Sequence, residues 1–432
     1  MSETTRPPTI VLDDPDGTPP DAPARGRERW VVGLIGAGHF LSHYYALALP
    51  PLFPILKAEF GVSYLELGLA MTAYSLLGGL LQAPVGFLVD HLGPRRVLLA
   101  GLGLNAAAVL CMGFADAYWV LLVLAVLAGL GNSVFHPADY AILSGSIDGT
   151  RLGRAFSAHT FAGFLGGACA PVGMLALAQW SDWRTALIAA GLVGLAVFAA
   201  MAVKRGVLRG EGGAAPSPAE TADAPGAAMP SGVSLLMSAP VLLFLAFFIV
   251  YGMASGGLTA FTVSALVDLH GLGLDAANAA LTGYLFGIVG GILLGGVIAD
   301  RFPRHLLSAS VALLVVAAAV LPPALLDLPG IALIGLMVLT GVGMGAVLPP
   351  RDLMIRAFTP AGQTGKVFGF IFVGYSIGGS TAPVLMGWLL DAGQPAWVFI
   401  LSAVFALMSI LTVAAAQRLA RRWAASAGAA AE

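Results

Sequence analysis

The chain has 432 residues, of which 58% are hydrophobic and only 10% are charged, and its mean hydropathy is +0.89. Soluble domains carry roughly 25% charged residues, so this composition excludes an ordinary soluble globular protein. The formal net charge of −2 points to no nucleic-acid partner. Cys111 and Cys169 both lie inside apolar runs and suggest neither a disulfide framework nor a zinc site.

Apolar segments recur along the chain at a length that suits membrane crossing, since about 20 helical residues span a hydrocarbon core of roughly 30 Å. In the first half they lie at about 31–56, 65–90, 96–115, 118–146, 153–178 and 184–203. In the second half they lie at about 240–268, 276–300, 305–326, 330–357, 365–391 and 395–418. We therefore predict an all-α polytopic membrane protein with twelve transmembrane helices, six per half. Pro50, Pro51 and Pro54 are expected to break or bend the end of the first helix.

The segments outside these runs define the predicted domains. Residues 1–29 are rich in Pro, Asp and Arg and lack the apolar centre of a signal peptide, so they are predicted to be a disordered tail. A polar, Ala/Pro/Gly-rich stretch between the halves indicates a flexible linker. The predicted divisions are a six-helix bundle at 30–205, a linker at 206–238, a second six-helix bundle at 239–420 and a tail at 421–432.

Cations are concentrated at one set of predicted helix ends, the cation-rich ends. These ends and the adjoining loops carry Arg25, Arg27, Arg29, Arg95, Arg96, Arg151, Arg154, Lys204, Arg205, Arg209, Arg301, Arg304, Arg356, Lys366, Arg418, Arg421 and Arg422. The opposite, cation-poor ends carry only Lys57 and Arg184. By the positive-inside rule, both termini and the linker are predicted to be cytoplasmic, in a multi-pass protein of the cell (inner) membrane.

A charged loop pattern occurs twice, once after the second predicted helix of each half. Three pairs of residues are each 210 positions apart (284−74, 296−86 and 300−90), namely Tyr74 and Tyr284, Gly86 and Gly296, and Asp90 and Asp300. A second block repeats at an offset of 212 and pairs Gly166-Gly167 with Gly378-Gly379. The chain therefore consists of two related halves, which is a signature of repeat-built membrane transporters.

Six plus six helices with this loop in each half resemble the major facilitator superfamily over residues 30 to 420 or so. The first copy matches the family's cytoplasmic loop motif at Gly86, Asp90, Gly93, Arg95 and Arg96. The second copy is a degenerate form of it, with Asp300, Arg301 and Arg304. The resemblance implies two pseudo-symmetric six-helix bundles that work by alternating access around a central cavity.

Within this family the chain is similar to the fosmidomycin-resistance-type branch of efflux carriers. That branch has a His early in helix 1, here His39, and Phe-His-Pro in helix 4, here Phe135-His136-Pro137. It also has a Leu-Gln-Pro-like element before the loop motif, here Leu81-Gln82-Ala83-Pro84. Substrates vary widely inside such branches, so the resemblance does not name the compound that is carried.

Ionisable side chains inside the membrane are costly and therefore mark candidate functional sites. His39 and His43 share one face of helix 1, His136 and Asp139 share one face of helix 4, and His159 lies in helix 5. The resemblance implies that these three helices line the first half of the pore, so the five residues are expected to meet. The hypothesis is a proton-coupling and substrate-binding cluster. The alternative is that each His hydrogen-bonds a neighbouring helix and only fixes packing.

Histidine pairs four residues apart also suit a transition metal. Acidic and thiolate partners are sparse, however, and Cys169 lies too far along its helix from His159 to share a ligand set with it. No metal site and no cofactor are therefore predicted.

In the family, the Asp at the position of Asp90 latches the cytoplasmic gate against the start of helix 11, which begins near Gly365. The N-terminal amides of that helix would attract the carboxylate. The alternative is a solvated, topogenic loop. Drug-antiporter relatives often carry an Arg within helix 4, whereas this helix has none before Arg151, so His136–Asp139 is the nearest local substitute for the usual Asp–Arg relay.

Two further features of the sequence each allow two interpretations. Arg351 could face the central cavity and attract an anion, or pair with Asp352. The glycine-rich run that contains Gly166-Gly167 resembles an antiporter motif, but its counterpart at Gly378-Gly379 makes close helix packing an equal explanation.

No Ser/His/Asp arrangement and no phosphate-binding G-x-x-x-x-G-K-[ST] motif is present, so the chain is not expected to be an enzyme. The predicted function is a proton-coupled efflux carrier (antiporter) for small organic compounds. Its expected partners are a small-molecule substrate, protons and the lipid bilayer, and it is expected to be a monomer. The alternative is a proton-coupled importer of a small metabolite or a metal; a non-transporting membrane sensor fits the duplicated motifs less well.

Overall fold

A computed structural model of the protein describes residues 22–204, 206–208, 233–359 and 364–429. Most of the predicted linker and of the first tail lies outside these ranges. The described part of the chain is helical and contains no β-strand. In the first half the α-helices are α1 Ala22–Ala46, α2 Phe53–Phe60, α3 Tyr64–Leu80, α4 Gln82–Leu92, α5 Pro94–Met112, α6 Tyr118–Asn132, α7 Phe135–Ser146, α8 Gly149–Trp180 and α9 Trp183–Val203. In the second half they are α10 Val233–Leu236, α11 Ala239–His270, α12 Leu274–Arg301, α13 His305–Val320, α14 Pro322–Leu325, α15 Gly330–Ala346, α16 Leu348–Phe358, α17 Thr364–Asp391 and α18 Trp397–Ala429.

The described helices account for the predicted membrane crossings. Ten spans are long and apolar enough to cross a bilayer, and an eleventh is formed if α3 and α4 are one span bent by 56°. In three of the ten, two consecutive helices make one span, namely α6 with α7, α13 with α14 and α15 with α16. Helix α1 is the remaining predicted crossing, and its 25 residues are long enough at about 1.5 Å per residue. Two His and two Tyr residues near its end make it more polar than the others.

Two helices extend beyond the boundaries that the sequence suggested. Helix α1 begins at Ala22, inside the segment predicted to be a disordered tail, and α18 continues to Ala429, nine residues past the predicted boundary at 420 (429−420). Charged residues such as Arg and Glu have good helix propensity, so polarity alone does not end a helix that the membrane-spanning segment has already nucleated.

Five predicted helices are interrupted, and each break lies near prolines, which lack the N–H that a continuous helix needs. The breaks between α3 and α4 and between α13 and α14 precede Pro84 and Pro322. After α1 the chain forms a 3-10 turn at Pro50–Leu52 before α2, as the prolines there predict. The break between α6 and α7 precedes Pro137, and the break between α15 and α16 precedes Pro349. Both of these interruptions fall within a membrane span, where irregular backbone is tolerated if protein or a water-filled cavity satisfies it.

The helix pairing is the same in the two halves. In the first half α1 packs on α8, α5 on α9 and α3 on α6; the corresponding pairs in the second half are α11 on α17, α13 on α18 and α12 on α15. The halves contact each other through two helix pairs, α3 with α17 and α8 with α12. These pairs are equivalent, because α3 corresponds to α12 and α8 corresponds to α17 in the other half. The architecture is therefore two pseudo-symmetric six-helix bundles. Large apolar side chains such as Phe87, Trp180 and Ile331 are exposed and would face lipid.

An ion pair joins α1 to the start of α8 at the cation-rich ends. The guanidinium of Arg151 donates to both carboxylate oxygens of Glu28, at 2.8 and 2.9 Å, and the backbone N–H of Asp148 donates to the same side chain at 3.1 Å. Hydrogen bonding from Arg151 is the main cause that lowers the pKa of Glu28 below its ordinary value. Two parallel hydrogen bonds give this pair a defined geometry, which a single contact between surface charges lacks.

We expect the Glu28–Arg151 pair to make stability depend on pH. A lowered pKa in the folded state stabilises the fold above the unfolded-state pKa of about 4.3, and this contribution is lost as the pH falls through the lowered value. Because the pair is partly exposed, Glu28→Gln should cost at most about 1 kcal/mol at neutral pH. Thermal unfolding of the purified protein from neutral pH down to about pH 3 should show the parent and the variant converging at the acidic end. Curves that stay parallel over the whole range would contradict the assignment.

Candidate functional site

Five ionisable side chains from three helices meet inside the first bundle. Helix α1 supplies His39 and His43, α7 supplies His136 and Asp139, and α8 supplies His159. The ring of His39 lies at the centre, with its centroid 4.7 Å from that of His43, 5.1 Å from that of His136 and 3.7 Å from that of His159. The five side chains therefore lie close together, as the sequence predicts.

Asp139 is the only carboxylate of this cluster, and two histidines share one of its oxygens. Its Oδ2 lies 3.0 Å from Nε2 of His159 and 3.4 Å from Nδ1 of His39. All three residues are buried, with exposed fractions of at most 2%. The second oxygen, Oδ1, has no hydrogen-bond partner among the described residues. A carboxylate without water at this depth needs a positive or proton-donating partner, and the imidazoles provide it.

The sequence suggested His136 as the partner of Asp139, but the structure pairs Asp139 with His159 instead. His136 and Asp139 do lie on one face of α7, as their spacing predicts. The side chain of Asp139, however, is directed to α8, which packs against α1 and carries His159. A spacing rule within one helix cannot detect this partner, which comes from another helix.

His43 and His136 form the more accessible side of the cluster. Both are half-buried, and their ring nitrogens make no hydrogen bond with any residue that the structure describes. Their rings contact those of His39, Phe164 and Tyr140. These two imidazoles are therefore free to donate to, or accept from, a molecule that reaches them.

Gly163 allows α8 to come close to the histidines of α1. A Cβ at this position would lie 2.7 Å from Nε2 of His39 and 3.0 Å from Cδ2 of His43, closer than side chains normally approach. Gly163 was not predicted as a site residue. The signal that could have identified it is its spacing, one helical turn after His159 and therefore on the same face of α8.

In the second bundle, Arg351 and Asp352 occupy the start of α16, which corresponds to the start of α7. Nε and Nη2 of Arg351 lie 2.9 Å from Oδ1 of Asp352, and the guanidinium also lies over the ring of Phe248 at 4.5 Å. Arg351 is 4% exposed. The sequence left two interpretations of Arg351 open, a position facing the cavity and an ion pair. The structure shows the ion pair with Asp352, which neutralises the buried guanidinium.

The two copies of the loop motif lie at equivalent helix junctions of the cation-rich ends. In the first copy Gly93 has a φ of +85° between α4 and α5, a conformation that glycine adopts without strain, and Gly86 lies within α4. The charged residues Asp90, Arg96, Asp300, Arg301 and Arg304 are exposed, and Arg95 is half-buried. Asp90 makes no hydrogen bond or ion pair with the described residues, and residues 360–363, just before α17, lie outside them. The latch between Asp90 and the start of α17 stays a prediction.

The two bundles are joined at the cation-poor ends, where Asp391 is the central residue. Its carboxylate accepts hydrogen bonds from the backbone N–H groups of Tyr64 and Leu65 at 2.9 and 2.8 Å, and Nζ of Lys57 lies 3.5 Å from it. These amides begin α3, where an intrahelical acceptor is lacking and the helix dipole favours an anion. Gln179 of α8 also donates to Asp275 of α12. Sequence reasoning did not identify Asp391, because its partners are 326 and 327 residues away.

Asp391→Asn is expected to weaken this closed arrangement. The amide keeps the shape but loses the charge that the α3 amides and Lys57 attract, so the closed state should lose about 1–2 kcal/mol, roughly a tenfold change in population. Spin labels at positions 116 and 326, one on each bundle at the cation-poor ends, would report longer distances in the variant. Asp327→Asn is the matched control, since its side chain is fully exposed at the same end. An unchanged distance distribution in Asp391→Asn would contradict the role of this carboxylate.

The sequence model of the family described as Major Facilitator Superfamily matches residues 35–292 and 243–429. The Fosmidomycin resistance protein of Escherichia coli (strain K12) is 24% identical over 391 residues, which cover 89% of this chain and 92% of that protein. The MFS-type transporter YfnC of Bacillus subtilis (strain 168) is 27% identical over 392 residues, covering 88% and 91%.

Among solved structures, the fold is similar to that of a bacterial homolog of the human lysosomal transporter Spinster in an inward-facing and occupied conformation. The TM-score is 0.70 at 14% identity, and the match covers 93% of this chain and 97% of that one. At this identity the likeness concerns the fold. It agrees with the two pseudo-symmetric bundles.

Proposed function

This chain belongs to the Major Facilitator Superfamily, and on that basis we propose that it is a proton-coupled efflux carrier for small organic compounds. The observation that carries the proposal is the buried group of Asp139, His159 and His39, with the half-buried His43 and His136 beside it. Ionisable groups at membrane depth in a repeat-built carrier mark proton and substrate pathways. The full-length similarity to a protein named for fosmidomycin resistance supports export over import.

In the proposed cycle, the cation-rich ends face the cytoplasm, as the positive-inside rule indicates. The described conformation is joined at the cation-poor ends through Asp391, so it corresponds to the state that loads its compound from the cytoplasm. Opening to the outside breaks the contacts of Asp391 with α3. Asp90 then closes the opposite side by binding the N-terminal amides of α17.

Protons enter this cycle at the Asp139 cluster. In the outward-open state a proton from outside binds the cluster and favours release of the compound from the adjacent imidazoles. After return to the cytoplasmic side the proton leaves, and the cluster can bind the next molecule. Imidazole is suited to this role because its ordinary pKa of about 6.5 lets it change charge near neutral pH.

The direction of proton movement tests the proposal. Ligands are first found by thermal shift on the purified protein, since a compound that binds the folded state raises its apparent stability. In proteoliposomes with an internal pH indicator, an antiporter exchanges the ligand for a proton, so ligand uptake makes the lumen more alkaline. Proton movement in the same direction as the ligand would instead establish a symporter, and with it the importer. A tag within residues 206–230 of the linker that is labelled from outside the cell would overturn the orientation.

A further inference from the structure

The histidine cluster contains two overlapping groups of metal-ligand atoms. One ligand atom from each of His39, His43 and His136 lies within 4.8 Å of the other two, and the same holds for His39, Asp139 and His159. The two groups share His39. A tetrahedral Zn²⁺ site has metal–nitrogen distances of about 2.0–2.1 Å, so its ligand atoms are roughly 3.4 Å apart. The first group must contract from separations of up to 4.8 Å to reach this spacing.

Hydrogen bonding distinguishes the two groups. Asp139 and His159 already satisfy each other at 3.0 Å and are buried, so a metal there would have to replace an existing contact. His43 and His136 are half-buried and make no hydrogen bond with the described residues, so their nitrogens are available to an ion that reaches them. The three-histidine group is therefore the better site.

Asp139 provides the outer contact that metal-binding histidines usually have. Its Oδ2 lies 3.4 Å from Nδ1 of His39, which leaves Nε2 of the same ring for a metal. Contacts of this kind fix the ring orientation and raise the basicity of the ligand. Gly163 lets α8 pack against the ring of His39 without a side-chain clash, because a Cβ there would lie 2.7 Å from Nε2.

We propose that His39, His43 and His136 bind one divalent transition-metal ion of the Zn²⁺ class, with Asp139 orienting His39 and the fourth coordination position open to the cavity. Three imidazoles with one open position are a recurring zinc arrangement, and imidazole also suits Co²⁺, Ni²⁺ and Cu²⁺. The ion and a coupling proton would compete for the same ring nitrogens. The site itself is independent of the compound that is carried and of the direction of transport.

The test uses full-length protein purified without a polyhistidine tag. After incubation with Zn²⁺ and removal of free ion, elemental analysis should find one Zn²⁺ per chain. Co²⁺ should give the intense visible absorption of a four-coordinate site, and Zn²⁺ should abolish it. A parent protein that retains no Zn²⁺ and gives no such Co²⁺ spectrum overturns the proposal.

Single substitutions then locate the ion. His43→Ala and His136→Ala should each remove the bound Zn²⁺, and Asp139→Asn should weaken binding by about 10- to 100-fold without abolishing it. His159→Ala should keep the ion, as should His91→Ala, a matched control on an exposed histidine at the cation-rich ends. Each variant is compared only if its metal-free melting temperature and elution match the parent's.

Two results would contradict the site even if the protein binds zinc. Retention of the ion by both His43→Ala and His136→Ala would show an adventitious site elsewhere. Loss in His159→Ala together with retention in His43→Ala would place the ion in the other group. A protein that binds no metal would still show proton-driven exchange in proteoliposomes. Failure of the metal site is therefore distinguishable from failure of the proposed function.

Discussion

Asp139→Asn is expected to reduce proton-driven transport to the level of empty liposomes while leaving exchange of substrate across the membrane intact. The amide has the shape of the carboxylate and can still form a hydrogen bond with His159, which lies 3.0 Å from Oδ2. It cannot bind a proton or balance a charged imidazole, so a protonated imidazole of the cluster loses its counter-charge and is no longer stabilised at this depth. His136→Ala should give the same separation of driven transport from exchange.

The measurement compares two assays in proteoliposomes, substrate movement driven by a pH gradient and exchange of labelled for unlabelled substrate without a gradient. Asp116→Asn is the matched control, because it makes the same change at an exposed carboxylate outside the cluster. It should retain driven transport. If Asp139→Asn and His136→Ala both keep full proton-driven transport, the cluster serves packing, and the coupling site has to be sought at Asp352 or Asp90.

Gly166→Ala and Gly378→Ala are expected to destabilise the protein strongly. A Cβ at Gly166 would lie 2.0 Å from the backbone oxygen of Phe40 in α1, and a Cβ at Gly378 would lie 1.9 Å from that of Ile249 in α11. Backbone atoms cannot rotate away from the added Cβ as a side chain can, so the two helices of each pair must move apart. Overpacking of this kind costs about 1–3 kcal/mol, and here it should be at the upper end.

The chain supplies a neighbouring control for each substitution. A Cβ at Gly167 would meet only the side chain of Leu47 at 3.4 Å, and one at Gly379 would have its nearest neighbour at 4.0 Å. Gly167→Ala and Gly379→Ala should therefore melt within a degree or two of the parent, whereas Gly166→Ala and Gly378→Ala should melt several degrees lower. Equal melting temperatures for all four variants would refute close packing as the reason for these glycines.

This result bears on a question that the sequence left open, namely whether the repeated glycine runs serve packing or antiport. Gly166 and Gly378 occupy equivalent contacts, α8 on α1 and α17 on α11. Small residues at such contacts let membrane helices approach each other closely. The geometry favours packing, because it is the same in both bundles whereas the ionisable cluster is present in only one.

The sequence by itself determined the class of the protein, its two-half organisation and the helices that carry the candidate site. These features are readable because the bilayer imposes a length on each apolar run and because every backbone polar group in lipid must be satisfied within its own helix. The offset of 210 between Asp90 and Asp300 is likewise a property of the chain alone. The positions of His39, His43, His136, Asp139 and His159 on three helices also followed from apolar runs and spacing.

Only the tertiary structure decided which side chains contact each other. Asp139 pairs with His159, 20 residues away, and Asp391 caps α3 across 326 residues. Arg351 pairs with the adjacent Asp352, although the cavity was an equal alternative. Such contacts depend on how each helix is rotated about its axis and on which helices are adjacent. These quantities are set by the packing of glycines and large side chains over the whole bundle, and no local pattern in the sequence specifies them.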